Sequence, residues 1–177
     1  METFSKEDIV VYNDFFDVGD YKVILDYLNR SRWRWGHGSL PDDHPNKSEF
    51  NTPFWIMDLE RDYFFTDYLL NIIMESTDQK YAITGCYCNG HTYGTSGNFH
   101  VDWYDPSGRT VLLYANDIWK QEWGGKTAFN LGDTYHYTEF VPNSVVIFPG
   151  MIPHRSEGTS RLFTGLRKTV AWKLVLK

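Results

Sequence analysis

Apolar and polar residues alternate in two different ways along the chain, and the early part has helical spacing. Between residues 19 and 31, and again between 61 and 76, apolar side chains recur every three or four positions, which predicts two helices. Asp20 is placed to cap the first helix. The stretch between the helices is rich in Gly, Pro, Asp and Asn and predicts a long loop over residues 36–54. Such loops are often functional, so this loop, with residues 33–39 leading into it, is a candidate lid.

From residue 80 the pattern changes to short segments rich in Val, Tyr, Thr, Phe and Trp, which Gly, Pro, Asn and Asp separate. Eight strands are predicted, at residues 80–88, 98–104, 109–116, 125–131, 134–140, 143–149, 152–158 and 167–177. Eight strands after two helices predict a mainly β fold, a sandwich or jelly roll buttressed by N-terminal α-helices. We expect one domain over residues 1–177, in which residues 1–79 form the helical buttress and candidate lid and residues 80–177 form the core.

Length and composition fit a folded protein in a reducing compartment. The 177 residues are 42% hydrophobic, enough for a sizeable core, and the net charge of −6 disfavours nucleic acid, because phosphate binding needs clustered Lys and Arg. Cys86 and Cys88 are too close for a relaxed disulfide within one strand and predict free thiols. With no membrane-spanning run and no signal peptide in the sequence, we expect a cytoplasmic protein. The sequence leaves the oligomeric state open.

His100 and Asp102 are the first candidate site residues. They lie two positions apart in a predicted strand, so their side chains would point the same way. An imidazole and a carboxylate on a half-buried face are costly unless a partner pairs with both, and a cation is one such partner. The simpler alternative is that the two side chains hydrogen-bond each other or the backbone.

A third ligand would have to come from another histidine. His37 and His44 lie in the polar loop, where solvated rings are expected. His91 follows an Asn-Gly turn, where an exposed ring is also expected, and His136 lies in a strand where it could face solvent. His154 differs, because it follows an apolar strand and a Gly-Met-Ile-Pro turn and so begins a strand at the mouth of the core. Two imidazoles and one carboxylate on one face of a metal leave open positions, and this ligand set suits Fe(II) and an oxygenase.

Several motifs in order carry a resemblance to a known family. A Tyr-bearing strand and Gly-rich turn, "CYCNGHTYGTSGNF", leads into His100-Val-Asp102, and "GRTVLLYAND", "WKQEWGGKTAFN", "VPNSVVIFPGMIPH" and "GLRKTVAWKL" follow. Over about residues 80–174 the chain resembles the 2-oxoglutarate- and Fe(II)-dependent dioxygenases, in particular the prolyl 4-hydroxylase-like branch. The chain departs from that branch at Lys126, which replaces the acid of its Gly-Gly-Glu-Thr stretch.

The resemblance implies an enzyme with a double-stranded β-helix, or jelly-roll, core. It would use Fe(II) held by His100, Asp102 and His154, the cosubstrate 2-oxoglutarate and O2, with ascorbate as a candidate additional factor. It would hydroxylate an unactivated C–H bond and release succinate and CO2. A prolyl residue of a peptide or protein is the substrate that the branch suggests, and small molecules are substrates of related enzymes.

The resemblance also implies the cosubstrate contacts. Arg167 would pair with the 5-carboxylate of 2-oxoglutarate, since a guanidinium meets a carboxylate bidentately. Thr169 would share its strand face and donate a hydroxyl hydrogen bond. Tyr87 and Tyr114 match tyrosines that border the cosubstrate, although each could simply pack in the core. Arg161 competes with Arg167, because neither has the family's usual spacing from the distal histidine.

Two other functions remain open at this stage. Arg161 and Arg167 form an Arg-X5-Arg pair like that of oxidative demethylases of alkylated nucleobases, which the acidic composition opposes. The same jelly roll could instead be a non-catalytic metal-binding module. For an enzyme, the negative net charge favours a neutral or cationic target.

Overall fold

The structure is a computed structural model that describes residues 3–39 and 52–177. Most of the predicted loop over residues 36–54, including His44, therefore lies outside the described residues. In the part that is described, no helix has the length and hydropathy that crossing a bilayer requires. Cys86 and Cys88 are both free and buried.

Two antiparallel sheets form the framework of the described chain. The large sheet has seven strands in the order β1-β8-β5-β10-β4-β3-β2, and the small sheet has three in the order β7-β6-β9. The strands are β1 (Val10–Tyr12), β2 (Arg34–His37), β3 (Phe54–Asp58), β4 (Tyr81–His91), β5 (Gly108–Tyr114), β6 (Thr127–Asn130), β7 (Tyr135–Thr138), β8 (Val145–Pro149), β9 (His154–Ser156) and β10 (Arg167–Leu176). Their order and the antiparallel pairing confirm the predicted mainly β fold with a jelly-roll core.

The predicted helices are confirmed in position. Helix α1 spans Val18–Leu28, and helix α2 spans Leu69–Thr77 and continues a π-helical turn at Phe64–Tyr68. Short 3₁₀ turns lie at Lys6–Asp8 and Gln121–Trp123. The N-cap of α1 is Asp17 rather than the predicted Asp20, because the Asp17 side chain accepts a hydrogen bond from the backbone N–H of Asp20 at 2.8 Å.

Strict alternation along β10 divides the molecule into three layers. Val170, Trp172 and Leu174 point to one side, where they pack into a core shared with α1 and α2. The Trp172 indole N–H donates to the carbonyl of Phe65 at 2.9 Å, which ties the central strand to the π-helical turn. The intervening β10 residues therefore face the opposite side, toward the small sheet.

A second core lies between the two sheets. Tyr114 from β5, Phe129 from β6 and Phe148 from β8 are buried there, and Ala171 from β10 completes the same cluster. The cluster fills one end of the space between the sheets. The other end is left for polar side chains.

The predicted strand over residues 98–104 is wrong. His100 forms only an isolated antiparallel bridge with His154, and the chain then bends away. The bend occurs because the carbonyl of Gly150 accepts from two successive backbone N–H groups, those of Asp102 at 2.9 Å and Trp103 at 3.1 Å. Two successive amides cannot both point to one partner in a regular ladder.

The N-terminal part contains three strands that the sequence pattern did not predict. β1 pairs with β8 at one edge of the large sheet, while β2 and β3 form an antiparallel pair at the other edge. These strands are three to five residues long, too short for a period of two to be recognised in the sequence. Residues 1–79 are therefore more than a helical buttress.

Trp103 is packed against Gly108 and Gly150, and the contact with Gly108 predicts the effect of one substitution. A Cβ atom at Gly108 would lie 2.2 Å from Cγ of Trp103, whereas at Gly85 the nearest atoms would be 3.6 Å away. We expect Gly108→Ala to lower the free energy of unfolding by about 1–3 kcal/mol, the usual cost of overpacking. Gly85→Ala, in β4 of the same sheet, is the matched control, and we expect it to be neutral. Urea unfolding measures both, and equal stability of the two variants would contradict the contact.

Candidate functional site

A pair of backbone hydrogen bonds brings two distant histidines together. The N–H of His100 donates to the carbonyl of His154 at 3.1 Å, and the N–H of His154 donates back to His100 at 2.9 Å. The two imidazole centroids are consequently 4.5 Å apart. The bridge joins the segment before β5 to the start of β9. It therefore places His100 and His154 side by side, which the sequence could only suggest.

Asp102 completes a cluster of three metal-ligating side chains. Its Oδ1 lies 3.4 Å from Nε2 of His100, and its Oδ2 lies 3.3 Å from Nε2 of His154. One ligand atom from each residue falls within 4.8 Å of the others, a spacing that a single metal ion could bridge. Two imidazoles and one carboxylate on one side would leave the opposite coordination positions open.

The imidazoles are oriented by the backbone for this purpose. Nδ1 of His100 lies 2.9 Å from the carbonyl of Asn98, and Nδ1 of His154 lies 2.9 Å from the carbonyl of Ile152. A carbonyl only accepts, so each Nδ1 donates a proton to it, and Nε2 is the ring nitrogen left to bind a metal ion. Hydrogen bonds of this kind fix the tautomer and ring orientation of metal-binding histidines.

The protonation states of the other groups also suit metal binding. Burial opposes ionisation of Asp102, but the ammonium of Lys173 and the imidazole of His154 hold the pKa of this carboxyl well below its usual range. Oδ2 accepts from the Thr110 hydroxyl at 2.5 Å and from Nζ of Lys173. Burial lowers the pKa of His154, which favours the neutral imidazole. Asp102 is therefore an anionic ligand and His154 a neutral one.

The cluster lies in a cavity of about 800 Å³ between the sheets. Its polar floor comes from alternate residues of the central strands: Tyr87, Asn89 and His91 of β4, and Arg167, Thr169 and Lys173 of β10. One wall of the cavity is formed by residues from the N-terminal part of the chain, 36–39 and Phe54. The described end of the predicted lid segment thus lies at the cavity.

Arg167 is a buried cation with an unused hydrogen-bond donor. The residue is 1% exposed, its Nε donates to the carbonyl of Gly125 at 2.7 Å, and its Nη2 lies 3.5 Å from Oγ1 of Thr127. Nη1 is buried without a partner, and within the described chain no carboxylate lies within ion-pair distance of the guanidinium. Burial lowers the pKa of Arg167 to about 10, so it stays charged. An unpaired buried cation is costly, which makes this a site for an anion.

The other predicted site residues take different positions. Thr169 and Tyr87 line the cavity with Arg167. Tyr114 does not line it: its buried hydroxyl lies 2.8 Å from Oγ1 of Thr127 and 2.6 Å from Oγ1 of Thr138, so it reaches the cavity only through Thr127. Arg161 is exposed and outside the cavity lining.

His91 was predicted to be exposed after a turn, and that prediction is wrong. Asn89 and Gly90 lie inside β4 rather than in a turn, and His91 is 2% exposed at the cavity wall. Its Nε2 lies 3.0 Å from Oγ of Ser156, its Nδ1 has no partner, and its ring packs on Phe54. Burial, with a smaller effect of the Arg167 charge, lowers its pKa to about 3, so the ring is neutral.

Lys173 was also missed, although the sequence contained the signal. It lies an even number of residues from Arg167 and Thr169 in one predicted strand, and an even spacing places all three on one face. Its buried ammonium contacts Asp102 and lies 5.6 Å from the Tyr87 ring centroid. The cavity therefore holds two cations, at opposite ends of its floor.

Comparison with known proteins supports the fold. No protein-family model matches the chain, and no curated protein sequence matches it. Among solved structures, a 2OG-Fe(II) oxygenase family oxidoreductase from Burkholderia pseudomallei superposes with a TM-score of 0.72 at 11% identity, covering 96% of this chain and 86% of that one.

Two further structures add bound molecules to the comparison. A Trichoplax adhaerens prolyl hydroxylase in complex with a hypoxia inducible factor peptide gives a TM-score of 0.69 at 16% identity, over 95% of this chain and 83% of that one. HygX from Streptomyces hygroscopicus, with nickel, 2-oxoglutarate and hygromycin B bound, gives a TM-score of 0.59 at 15% identity, over 95% of this chain and 82% of that one. At these identities, what is shared is the fold.

The three-residue cluster predicts loss of metal binding on truncation of any member. We expect Asp102→Ala and His154→Ala to remove high-affinity Co(II) binding, because each leaves too few ligands on one face of the ion. Isothermal titration of the folded variants with Co(II) measures this. His136→Ala is the control, since His136 lies on β7 and is not among the cavity-lining residues. Unchanged affinity in Asp102→Ala would exclude the cluster as a metal site.

Proposed function

We propose that the protein is a 2-oxoglutarate- and Fe(II)-dependent oxygenase that hydroxylates an unactivated C–H bond. One observation carries the proposal. His100, Asp102 and His154 form a cluster that could hold a metal ion, and they share a cavity with the buried guanidinium of Arg167, which has no ion-pair partner among the described residues. A metal site alone would fit many proteins. A second, separate anion site in the same cavity fits a dicarboxylate that chelates the metal at one end and is anchored at the other.

The donor set supports a first-row metal ion with open coordination positions. Imidazole nitrogen and carboxylate oxygen suit Fe(II), and the arrangement matches the two-histidine, one-carboxylate pattern of non-haem iron oxygenases. With Fe(II) and 2-oxoglutarate bound, O2 would supply one oxygen atom to the hydroxylated C–H bond and the other to succinate, as 2-oxoglutarate loses CO2. His100 and His154 would hold the ion through Nε2, and the backbone bonds at Nδ1 would keep both rings in place.

Arg167 would receive the distal carboxylate of 2-oxoglutarate. Its Nη1 is the unused donor, and Nη2 has only a long contact to Thr127. Hydroxyls of Thr127 and Thr169 line the same part of the cavity and could donate to the same carboxylate. Tyr114 would act as a positioning residue, because its hydroxyl holds Thr127. The HygX structure, with 2-oxoglutarate and nickel bound on a similar fold, supports the proposal that this fold can hold a metal ion together with the cosubstrate.

For the substrate, we propose a prolyl residue in a peptide first and a small molecule second. The Trichoplax adhaerens enzyme was solved with a peptide and HygX with hygromycin B, so proteins of this fold bind both kinds of molecule. Oxidative demethylation of nucleobases has no support in the geometry. Arg161 is exposed and outside the cavity, so it cannot act together with Arg167 as a pair.

Anaerobic reconstitution tests the proposed activity. Fe(II) and 2-oxoglutarate added together should give a visible charge-transfer absorption that neither gives alone, because the keto acid chelates the metal. Admission of oxygen with Pro-containing peptides or small molecules should then release succinate, and mass spectrometry should find one added oxygen on the substrate. Metal binding without a 2-oxoglutarate-dependent absorption would instead identify a non-catalytic metal-binding module.

Arg167 yields a quantitative prediction. We expect Arg167→Ala to raise the apparent KM for 2-oxoglutarate by about 100-fold, since two charge-assisted hydrogen bonds contribute together about 3 kcal/mol. Steady-state succinate release at varied 2-oxoglutarate concentration measures the change. Arg161→Ala is the matched control, and we expect no change there. A large effect in Arg161→Ala with none in Arg167→Ala would reverse the assignment.

A further inference from the structure

The charges in the cavity point to a ligand beyond the metal and the cosubstrate. Asp102 is the only carboxylate among the described residues that line it, while Arg167 is a buried cation and Lys173 a partly buried one, with its side chain 14% exposed. Imidazoles carry no negative charge, so the histidines of the lining, His37, His91, His100 and His154, do not offset these cations. The described lining is therefore positive, although the whole chain carries a net charge of −6.

Loading the site does not remove this positive charge. Fe(II) brings two positive charges, and 2-oxoglutarate brings one negative charge at each end. In the proposed complex its distal carboxylate pairs with Arg167, and Lys173 already pairs with Asp102. Within the described lining, one positive charge therefore remains at the metal, beside Lys173. An uncompensated charge in a largely buried site is costly, so the loaded site favours one more anion.

The place of Lys173 separates this anion from the cosubstrate. Lys173 and Arg167 lie on the same face of β10, six residues apart, a rise of about 20 Å along a strand. Because Lys173 contacts Asp102, it lies at the metal end of the floor, while Arg167 takes the far carboxylate at the other end. Asp102 and the Tyr87 hydroxyl are partners of the Lys173 ammonium, which has three donors, so one donor is left for a ligand.

We infer that the substrate carries a carboxylate and that Lys173 anchors this carboxylate beside the metal. The inference rests on the proposed function and narrows its substrate class. It replaces the expectation from net charge of a neutral or cationic target. The carboxylate could be a free terminal acid or an acidic side chain next to the hydroxylated residue, because both present the same group to the ammonium.

Matched acid and amide probes test the inference without turnover. The protein is loaded with Ni(II) and 2-oxoglutarate, and loading is measured first by titration. N-acetylproline is compared with N-acetylprolinamide, and acetyl-Asp-Pro-amide with acetyl-Asn-Pro-amide, by calorimetry on the loaded protein. The first pair represents a terminal carboxylate and the second an acidic side chain. We expect the acid of one pair to bind at least about tenfold more tightly than its amide, the factor that one charge-assisted hydrogen bond supplies.

Variants of Lys173 assign the preference to this side chain, because a carboxylate could also ligate the metal directly. We expect Lys173→Met to remove the acid preference and Lys173→Arg to keep it. Lys22→Met, on the exposed side of α1, is the control and should behave as the unmodified protein.

Three results would overturn the inference: equal binding of acid and amide in both pairs, no binding of any acid at millimolar concentration, or an acid preference that survives in Lys173→Met. If that variant also loads metal poorly, Lys173 serves only to hold Asp102. Failure of the unmodified protein to load Ni(II) or 2-oxoglutarate would instead reject the proposed function itself.

Discussion

The candidate site depends on the two backbone hydrogen bonds between His100 and His154. They are the point at which the loop before β5 and the start of β9 are held side by side. The next constraint follows directly, because the carbonyl of Gly150 binds the amides of Asp102 and Trp103 and turns the carboxylate toward the two rings. Backbone geometry rather than side-chain attraction therefore assembles the three ligand groups. Such preorganisation is needed, since a buried carboxylate beside two imidazoles would not be stable by itself.

The floor of the cavity depends on a different property, the period of two in β10. One face of this strand carries Trp172 and its neighbours into the helical core, and this large apolar burial fixes the register. The opposite face then has no freedom: Arg167, Thr169 and Lys173 must point into the cavity. The unfavourable burial of two cations is offset by the packing of the same strand. A one-residue slip would expose the tryptophan and remove both charges from the cavity.

The sequence predicted more of the fold than of the site. The helices, most strands of the core and the grouping of His100, Asp102 and His154 followed from spacing and turn residues. The strand assumed for residues 98–104 is absent, since the double use of the Gly150 carbonyl is a long-range contact that no local pattern records. The short strands β1 to β3 also had no visible period. His91 was placed outside because Asn-Gly usually marks a turn, whereas here the pairing of β4 with β10 continues through it.

The net charge of an acidic protein does not determine the charge of the ligand that a buried site prefers. Surface carboxylates are screened by salt over about 8 Å. Within the cavity the dielectric is lower and screening is weak, so one ammonium such as that of Lys173 outweighs many exposed acids. The sign of the field at a buried site is therefore set by the few groups that line it. For this protein those groups are two cations and one carboxylate in the described lining, and a metal with a doubly charged cosubstrate does not change that difference.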